Sequence, residues 1–281
     1  MMILTVKATL EPLENIIVQP YTSKVVRQVL FKIAEATESK KLIEVMSSNA
    51  PFKPYSMTPL YSNGRPLYKK PGDRDPVVLW AGRRYSFRSS FIISDVNDVN
   101  IAWGFMGTLN IYGDRRIRLY IDDIELLHED ALGIPVKYRR TLAINFETPT
   151  ILQLPKLRKK SKVNRYTLLP IPSLIFYSLK ELWNRYADSK IDVASWRADY
   201  SMLLLDYDIK PVTVLYDKRR KIRGFTGRTL YMIMTKSNRI LNALSKLLHY
   251  ATLFNVGKSR SIGFGVVTVH SFAKTKAKTS F

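Results

Sequence analysis

Residues 223–269 read RGFTGRTLYMIMTKSNRILNALSKLLHYATLFNVGKSRSIGFGVVTV, and the order of patterns in this stretch decides the fold. It opens on a strand-like run, GFTGRTLYMIMT, rich in β-branched and aromatic residues. Asn238 is a good helix cap, and after it Ile240, Leu241, Leu244, Leu247, Leu248 and Ala251 recur at helical spacing as one apolar stripe. A loop holding Gly257, Gly263 and Gly265 follows, and GFGVVTVHSF returns as a strand. Strand, helix, glycine-rich loop and strand make the closing half of a βαββαβ unit.

The residues upstream supply the opening half. TLAINFETPTIL reads as a strand, KLRKKSKVNR as a basic connection and IPSLIFYSLKELWNRYA as a helix. SMLLLDYDIKPVTVLY then pairs with GFTGRTLYMIMT across the basic turn DKRRKIR. The first half of the chain repeats the theme. Residues 2–9 alternate as a strand, and Thr22 and Ser23 are N-cap candidates for a helix running to about Ala36. Val25, Val26, Val29, Leu30, Ile33 and Ala34 form its core stripe, and Lys24, Arg27 and Lys32 fall largely away from it at ~100° per residue. FKPYSMTPLY, RRYSFRSSFIISD and RRIRLYIDDIEL read as strands, with a short helix over residues 95–106. The fold class expected is α+β: two tandem ferredoxin-like βαββαβ domains with antiparallel sheets, spanning 1–132 and 133–281. The boundary lies near LHEDALGIPV, and the terminal AKTKAKTS is a frayed basic tail.

Charge narrows the function. Forty-five Lys and Arg against 23 Asp and Glu give a formal net charge of +22. Such an excess repels itself in a compact chain, and a polyanion relieves it; each phosphate neutralised releases counterions. A membrane surface is disfavoured because no amphipathic terminal helix presents a basic face. No apolar run reaches the roughly 18 residues of a membrane span, and the first residues lack the pattern of a signal peptide; a cytoplasmic location is expected. Cysteine is absent, and His128, His249 and His270 lie far apart. No metal and no cofactor is therefore expected. Hydrolytic chemistry would rest on Lys, Arg, Tyr, Ser or carboxylates.

The elements GFTG, the helix with LLHYA, and NVGKSRSIGFGVV resemble the signature of the Cas6 family of CRISPR repeat endoribonucleases. FKPYSMTPLY resembles that family's segment of an aromatic, a lysine and alternating aromatic and hydroxyl residues. The resemblance implies two tandem ferredoxin-like domains and cleavage within CRISPR repeat RNA. Repeat RNA is then the partner and a CRISPR interference complex the next; a homodimer is compatible with this reading. Many members place a catalytic histidine shortly before the lysine, where this chain reads EVMSSNAPFK.

Metal-free RNA cleavage needs in-line attack by the neighbouring 2′-OH, cations for the phosphorane and an acid for the leaving oxygen. A lysine serves as acid or base when cationic neighbours depress its pKa. Lys53 matches the family's lysine and is the leading candidate. Lys24, Arg27 and Lys32 supply the neighbouring cation, and Arg228 follows GFTG as a phosphate clamp. Ser47 or Ser48 stands near the missing histidine, and Tyr21 is a further proton handler. RNA grip is expected from Gly257, Lys258, Ser259, Arg260, Gly263 and Gly265, whose backbone N–H groups would cradle phosphate. It is also expected from Lys156, Arg158, Lys159 and Lys160 with Lys162 and Arg165, and from Lys218, Arg219, Arg220, Lys221 and Arg223 at the turn. Tyr166, Tyr216 and Phe225 are candidate stacking partners for bases. Two other readings compete: an inactive repeat-binding subunit, which the missing histidine favours, and a general RNA chaperone.

Overall fold

The apolar stripe of the first helix is where the sequence pattern becomes structure. The computed structural model describes residues 1–155, 163–217 and 219–272. In it α1 (Ser23–Ala36) buries Val25, Val26, Val29, Leu30, Ile33 and Ala34 completely. They share a core with Leu4, Val6, Ala8 and Leu10, which alternate along β1 (Met2–Pro12). Each buried Val, Leu or Ile stabilises the fold by about 1.5–3 kcal/mol. Thr22 takes a helical conformation and makes no capping bond. Its hydroxyl instead donates to the Leu67 carbonyl at 2.8 Å and accepts from the Leu60 N–H at 2.9 Å. It fastens the helix start to a loop rather than capping it.

The chain divides into two units. The first comprises Met1–Ala131, Val212–Gly224 and Ser259–Phe264. After β1 come β2 (Ile16–Val18), α1, α2 (Lys40–Ser47), β3 (Tyr55–Met57), β4 (Tyr61–Ser62), β5 (Arg65–Pro66), β6 (Val77–Leu79) and β7 (Tyr85–Ile93). A 3₁₀ helix (Val96–Phe105), β8 (Gly107–Ile111) and β9 (Arg115–His128) follow. The main sheet has the order β5-β4-β7-β1-β9-β8, with β3 also paired to β7. Its inner strands β3-β7-β1-β9 have the ferredoxin-like order, and their pairs are antiparallel. The 3₁₀ helix occupies the place of the second helix, its start held by Asp98, which accepts the Ser94 and Asp95 N–H groups.

The second unit comprises Leu132–Pro211, Phe225–Lys258 and the residues from Gly265 onward. Its elements are β10 (Thr141–Thr150), β11 (Leu152–Gln153), β12 (Tyr166–Thr167), α3 (Pro172–Tyr186), α4 (Arg197–Ser201), β13 (Met202–Leu215), β14 (Lys221–Ile233), α5 (Asn238–Phe254) and β15 (Val267–Phe272). The tip of the β13–β14 hairpin is the 212–224 segment of the first unit. The sheet order β13-β14-β10-β15 is again ferredoxin-like. Pro211 is tolerated within β13 because that strand is an edge, where a missing N–H leaves no ladder bond unmade.

Three local expectations change. FKPYSMTPLY is not one strand: Pro54 and Pro59 lack N–H donors, and only Tyr55–Met57 and Tyr61–Ser62 pair. Ser237, in extended conformation, precedes the last helix, and Asn238 is already its first residue. Helix α2, which no apolar periodicity announces, stands between α1 and the FKPYS segment. Among the described residues no helix is long and apolar enough to cross a membrane.

Candidate active site

The last turn of α2 is the centre of the candidate site. A helix leaves its final carbonyls unpaired, and they carry the negative end of the helix dipole. Here the Ser48 hydroxyl donates to the Val45 carbonyl at 2.9 Å. The next carbonyl, Met46, accepts from Lys53 Nζ at 3.0 Å and from Arg27 Nη2 at 3.1 Å. Two cations from separate elements thus converge on one oxygen. Burial lowers the Lys53 pKa below the ordinary lysine value, and the Arg27 guanidinium lowers it further. An ammonium in this setting gives up its proton more readily than a free lysine.

Around the pair stand aromatic rings and the loop 259–264. Lys53 Nζ lies 5.9 Å from the Tyr55 ring, and the Arg27 guanidinium 5.2 Å from Phe31. The Tyr55 hydroxyl is buried, with no partner in hydrogen-bonding geometry although Arg27 and Ser261 lie beside it, and burial raises its pKa to about 12. The loop is fastened to the start of α1. Tyr21 donates to the Gly263 carbonyl at 2.8 Å, Ser23 Oγ to the Ile262 carbonyl at 2.7 Å, and the Tyr21 and Phe264 rings stack at 4.5 Å. Tyr21 is thereby a packing residue rather than the proton handler expected. Gly263 has φ +85°, and a Cβ there would lie 2.8 Å from Ser23 Cβ. Arg260, 9% exposed, places its guanidinium 5.9 Å from the ring of Phe52, the residue before Lys53.

The hairpin tip adds a charged rim. Lys24 Nζ lies 3.5 Å from Asp217 and 4.6 Å from the Tyr216 ring, over which Arg220 also sits at 5.5 Å. Asp217 accepts the Arg219 and Arg220 N–H groups, which hold its carboxyl below the usual range. Arg219, Arg220, Lys221 and Arg223 are exposed, and Tyr216 is buried. Lys32 is not brought to the cluster: it pairs with Glu35 at 2.8 Å on an exposed face. Ser47 is exposed at the end of α2.

In the second unit, Arg228 is exposed on β14 opposite Asn145. Lys258 contacts the Tyr166 hydroxyl, with its ammonium 4.9 Å from that ring. Phe225 is core, edge-to-face with Phe146 at 4.9 Å, not a base-stacking surface. The glycines of the expected phosphate cradle spend their own N–H groups within the chain. The N–H of Gly257 donates to Ser178 Oγ and that of Gly265 to the Pro149 carbonyl. In the first-unit loop, the N–H of Gly263 donates to the Arg260 carbonyl, and Ser259 has φ +65°. The glycines admit the chain's own backbone: a Cβ on Gly257 would lie 2.3 Å from the Ile151 carbonyl oxygen, and one on Gly265 1.9 Å from that of Val256. Lys156, Arg158, Lys159, Lys160, Lys162 and Lys218 lie outside the described residues.

Comparison with known proteins places this architecture. Residues 4–114 match the Cas6 N-terminal domain, and residues 144–267 match the CRISPR-associated endoribonuclease Cas6. The chain belongs to the Cas6 family. Among solved structures it is similar to a Cas6 product complex, at 18% identity and a TM-score of 0.67 over 95% of this chain and 100% of that one. A Thermus thermophilus Cas6 is similar at 16% identity and a TM-score of 0.64, over 96% of this chain and 98% of that one. A Cas6-related protein from Pyrococcus furiosus is similar at 13% identity and a TM-score of 0.57, over 95% and 98% of the two chains. No curated protein matches the sequence.

In this Cas6-family chain, the stretch that lacks the histidine is the end of α2. What it contributes is a backbone oxygen, which residue identity could not announce. Tyr55, Phe52, Asp217 and Ser261 were also missed; the alternation in FKPYS and the single acid in DKRRKIR were the available signals. Among the described residues no three His, Cys, Asp or Glu gather as a metal site would need.

Proposed function

We propose that this chain cleaves CRISPR repeat RNA without a metal, at a phosphate bound between Arg27 and Lys53. The 2′-oxygen attacks the adjacent phosphorus and its proton passes to water. The P–O5′ bond breaks, and Lys53 gives its proton to the leaving oxygen. The products carry a 2′,3′-cyclic phosphate and a 5′-hydroxyl. Arg27, with Arg260 beside Phe52, would balance the charge that grows on the phosphorane, which is the contribution expected of fixed cationic donors. The observation that carries this reading is the convergence of Arg27 and Lys53 on the Met46 carbonyl, with the lysine's proton affinity lowered by its surroundings. Exposed Arg219, Arg220, Lys221, Arg223 and Arg228 would hold the RNA backbone, and the product would pass to an interference complex.

Labelled repeat RNA incubated with the protein in excess EDTA tests the proposal. Cleavage at one site, with a cyclic phosphate on one fragment and a 5′-hydroxyl on the other, is expected. Tight binding without cleavage would favour the inactive-subunit reading, to which the missing histidine points. Ends bearing a 5′-phosphate would contradict the mechanism.

A further inference from the structure

Helix α1 has a second stripe opposite its apolar one. Lys24, Arg27, Gln28 and Phe31 stand at i, i+3, i+4 and i+7, the spacing that aligns side chains along one face. With Gln19 and Tyr112 they line a cleft of about 330 Å³. That is the lower end of the ~300–1,000 Å³ range of small-ligand sites, enough for one nucleotide.

The wall of this cleft is chemically unfinished. Arg27 Nε, Gln28 Oε1 and the Tyr112 hydroxyl are buried and have no hydrogen-bond partner among the described residues. Interiors pair nearly all such atoms, and an orphan costs stability until a partner arrives. Tyr112 is unusual in its backbone as well. It sits in the β8–β9 turn at φ +50°, ahead of Gly113 at +83°. Asn or Gly would take that conformation with less strain, so a bulky ring held there points to a use for the ring. Burial raises the phenol to about 12, so it stays a hydrogen-bond donor well into the alkaline range.

We propose that the cleft binds one unpaired nucleotide of the RNA, with a base bearing an exocyclic amino group, next to the phosphate held by Arg27. Gln28 Oε1 accepts from that amino group, which adenine, cytosine and guanine possess and uracil lacks. Adenine fits best, because a glutamine amide can meet its N6 and N7 together. Tyr112 and Arg27 Nε donate to ring nitrogens or oxygens, Phe31 offers a stacking surface, and Lys24 meets the phosphate. The inference rests on the RNA-cleavage reading, since Arg27 belongs to both sites.

The test uses repeat RNA with a 2′-deoxyribose before the scissile phosphate, so that it binds without being cut. Each unpaired position is changed in turn to uridine, and affinity is measured by fluorescence anisotropy. At one position the change is expected to weaken binding by about tenfold or more. In Gln28→Met and Tyr112→Phe that sensitivity should shrink toward none, with melting temperatures no lower than the parent's, because both replacements remove an orphan polar atom. A uridine pattern unchanged in both variants, or found at no position, overturns the assignment. So does a marked fall of melting temperature in both, which would give Gln28 and Tyr112 to the fold. Cleavage of the all-ribose RNA in EDTA separates the two ideas. No cleavage with an intact uridine pattern would sink the catalytic reading alone; normal cleavage without the pattern would sink the cleft alone.

Discussion

Arg27 and Lys53 share a peptide carbonyl and are partly withdrawn from water, whereas Arg219, Arg220, Lys221 and Arg223 stand exposed on the hairpin tip. Both groups are cationic, and composition alone cannot tell them apart. The difference lies in what fixes them. A cation held by a helix-end carbonyl keeps one position as a phosphate reacts, so its charge acts on the transition state. A cation on a long exposed stem meets phosphate before, during and after reaction, and so contributes to binding that salt screens.

Substitutions should divide along that line. Arg27→Ala is expected to have the largest effect, lowering the single-turnover rate by about 10²–10³-fold with RNA affinity much less changed. Lys53→Ala should cost on the order of tenfold to a thousandfold in the same assay. Equal losses of rate and affinity in both would erase the distinction between the two groups of cations. The pH profile sharpens it. A general acid works only while protonated, and the Lys53 pKa is lowered. The rate should therefore fall as pH rises through a value below the ordinary lysine range. Arg27→Gln removes a charge that favours deprotonation, so the falling limb should move to higher pH. A limb that stays in place would separate Lys53 from the proton transfer.

Smaller effects test the scaffold and the rim. Gly263→Ala forces a side chain into φ +85° against Ser23 and should cost about 1–3 kcal/mol, read by thermal unfolding. Arg219→Ala, Lys221→Ala or Arg223→Ala should each reduce the slope of log affinity against log salt by about 1, with the bound cleavage rate near the parent's. Lys32→Ala, which removes an exposed i,i+3 pair, should change stability by only about 0.3–0.5 kcal/mol and the rate little.

Much of the fold was legible because burial writes a period into the sequence. The stripe from Val25 to Ala34 is completely buried, and the βαββαβ order of the second half follows from its strands, helices and turns. Helix α2 was not legible: in eight residues only Leu42 and Met46 are buried, too few to set a period. The candidate site was legible in part. Lys53 and Arg27 were singled out, one by resemblance and one by falling away from the core stripe. Their meeting point was not, because a carbonyl oxygen has no residue identity. Lys32 was grouped with Arg27, yet it lies five positions on, about 140° around the helix at 100° per residue. The glycines misled for a physical reason: close approach of backbone looks the same in sequence whether the neighbour is a ligand or, as at Gly257 and Gly265, the chain itself.

The most direct test replaces the leaving 5′-oxygen of the scissile phosphate with sulfur, a leaving group that departs without a proton. If Lys53 supplies that proton, Lys53→Ala should cleave the sulfur-bridged RNA at nearly the parent rate, while Arg27→Ala stays slow. A Lys53→Ala defect of the same size on both RNAs would contradict the role given to Lys53.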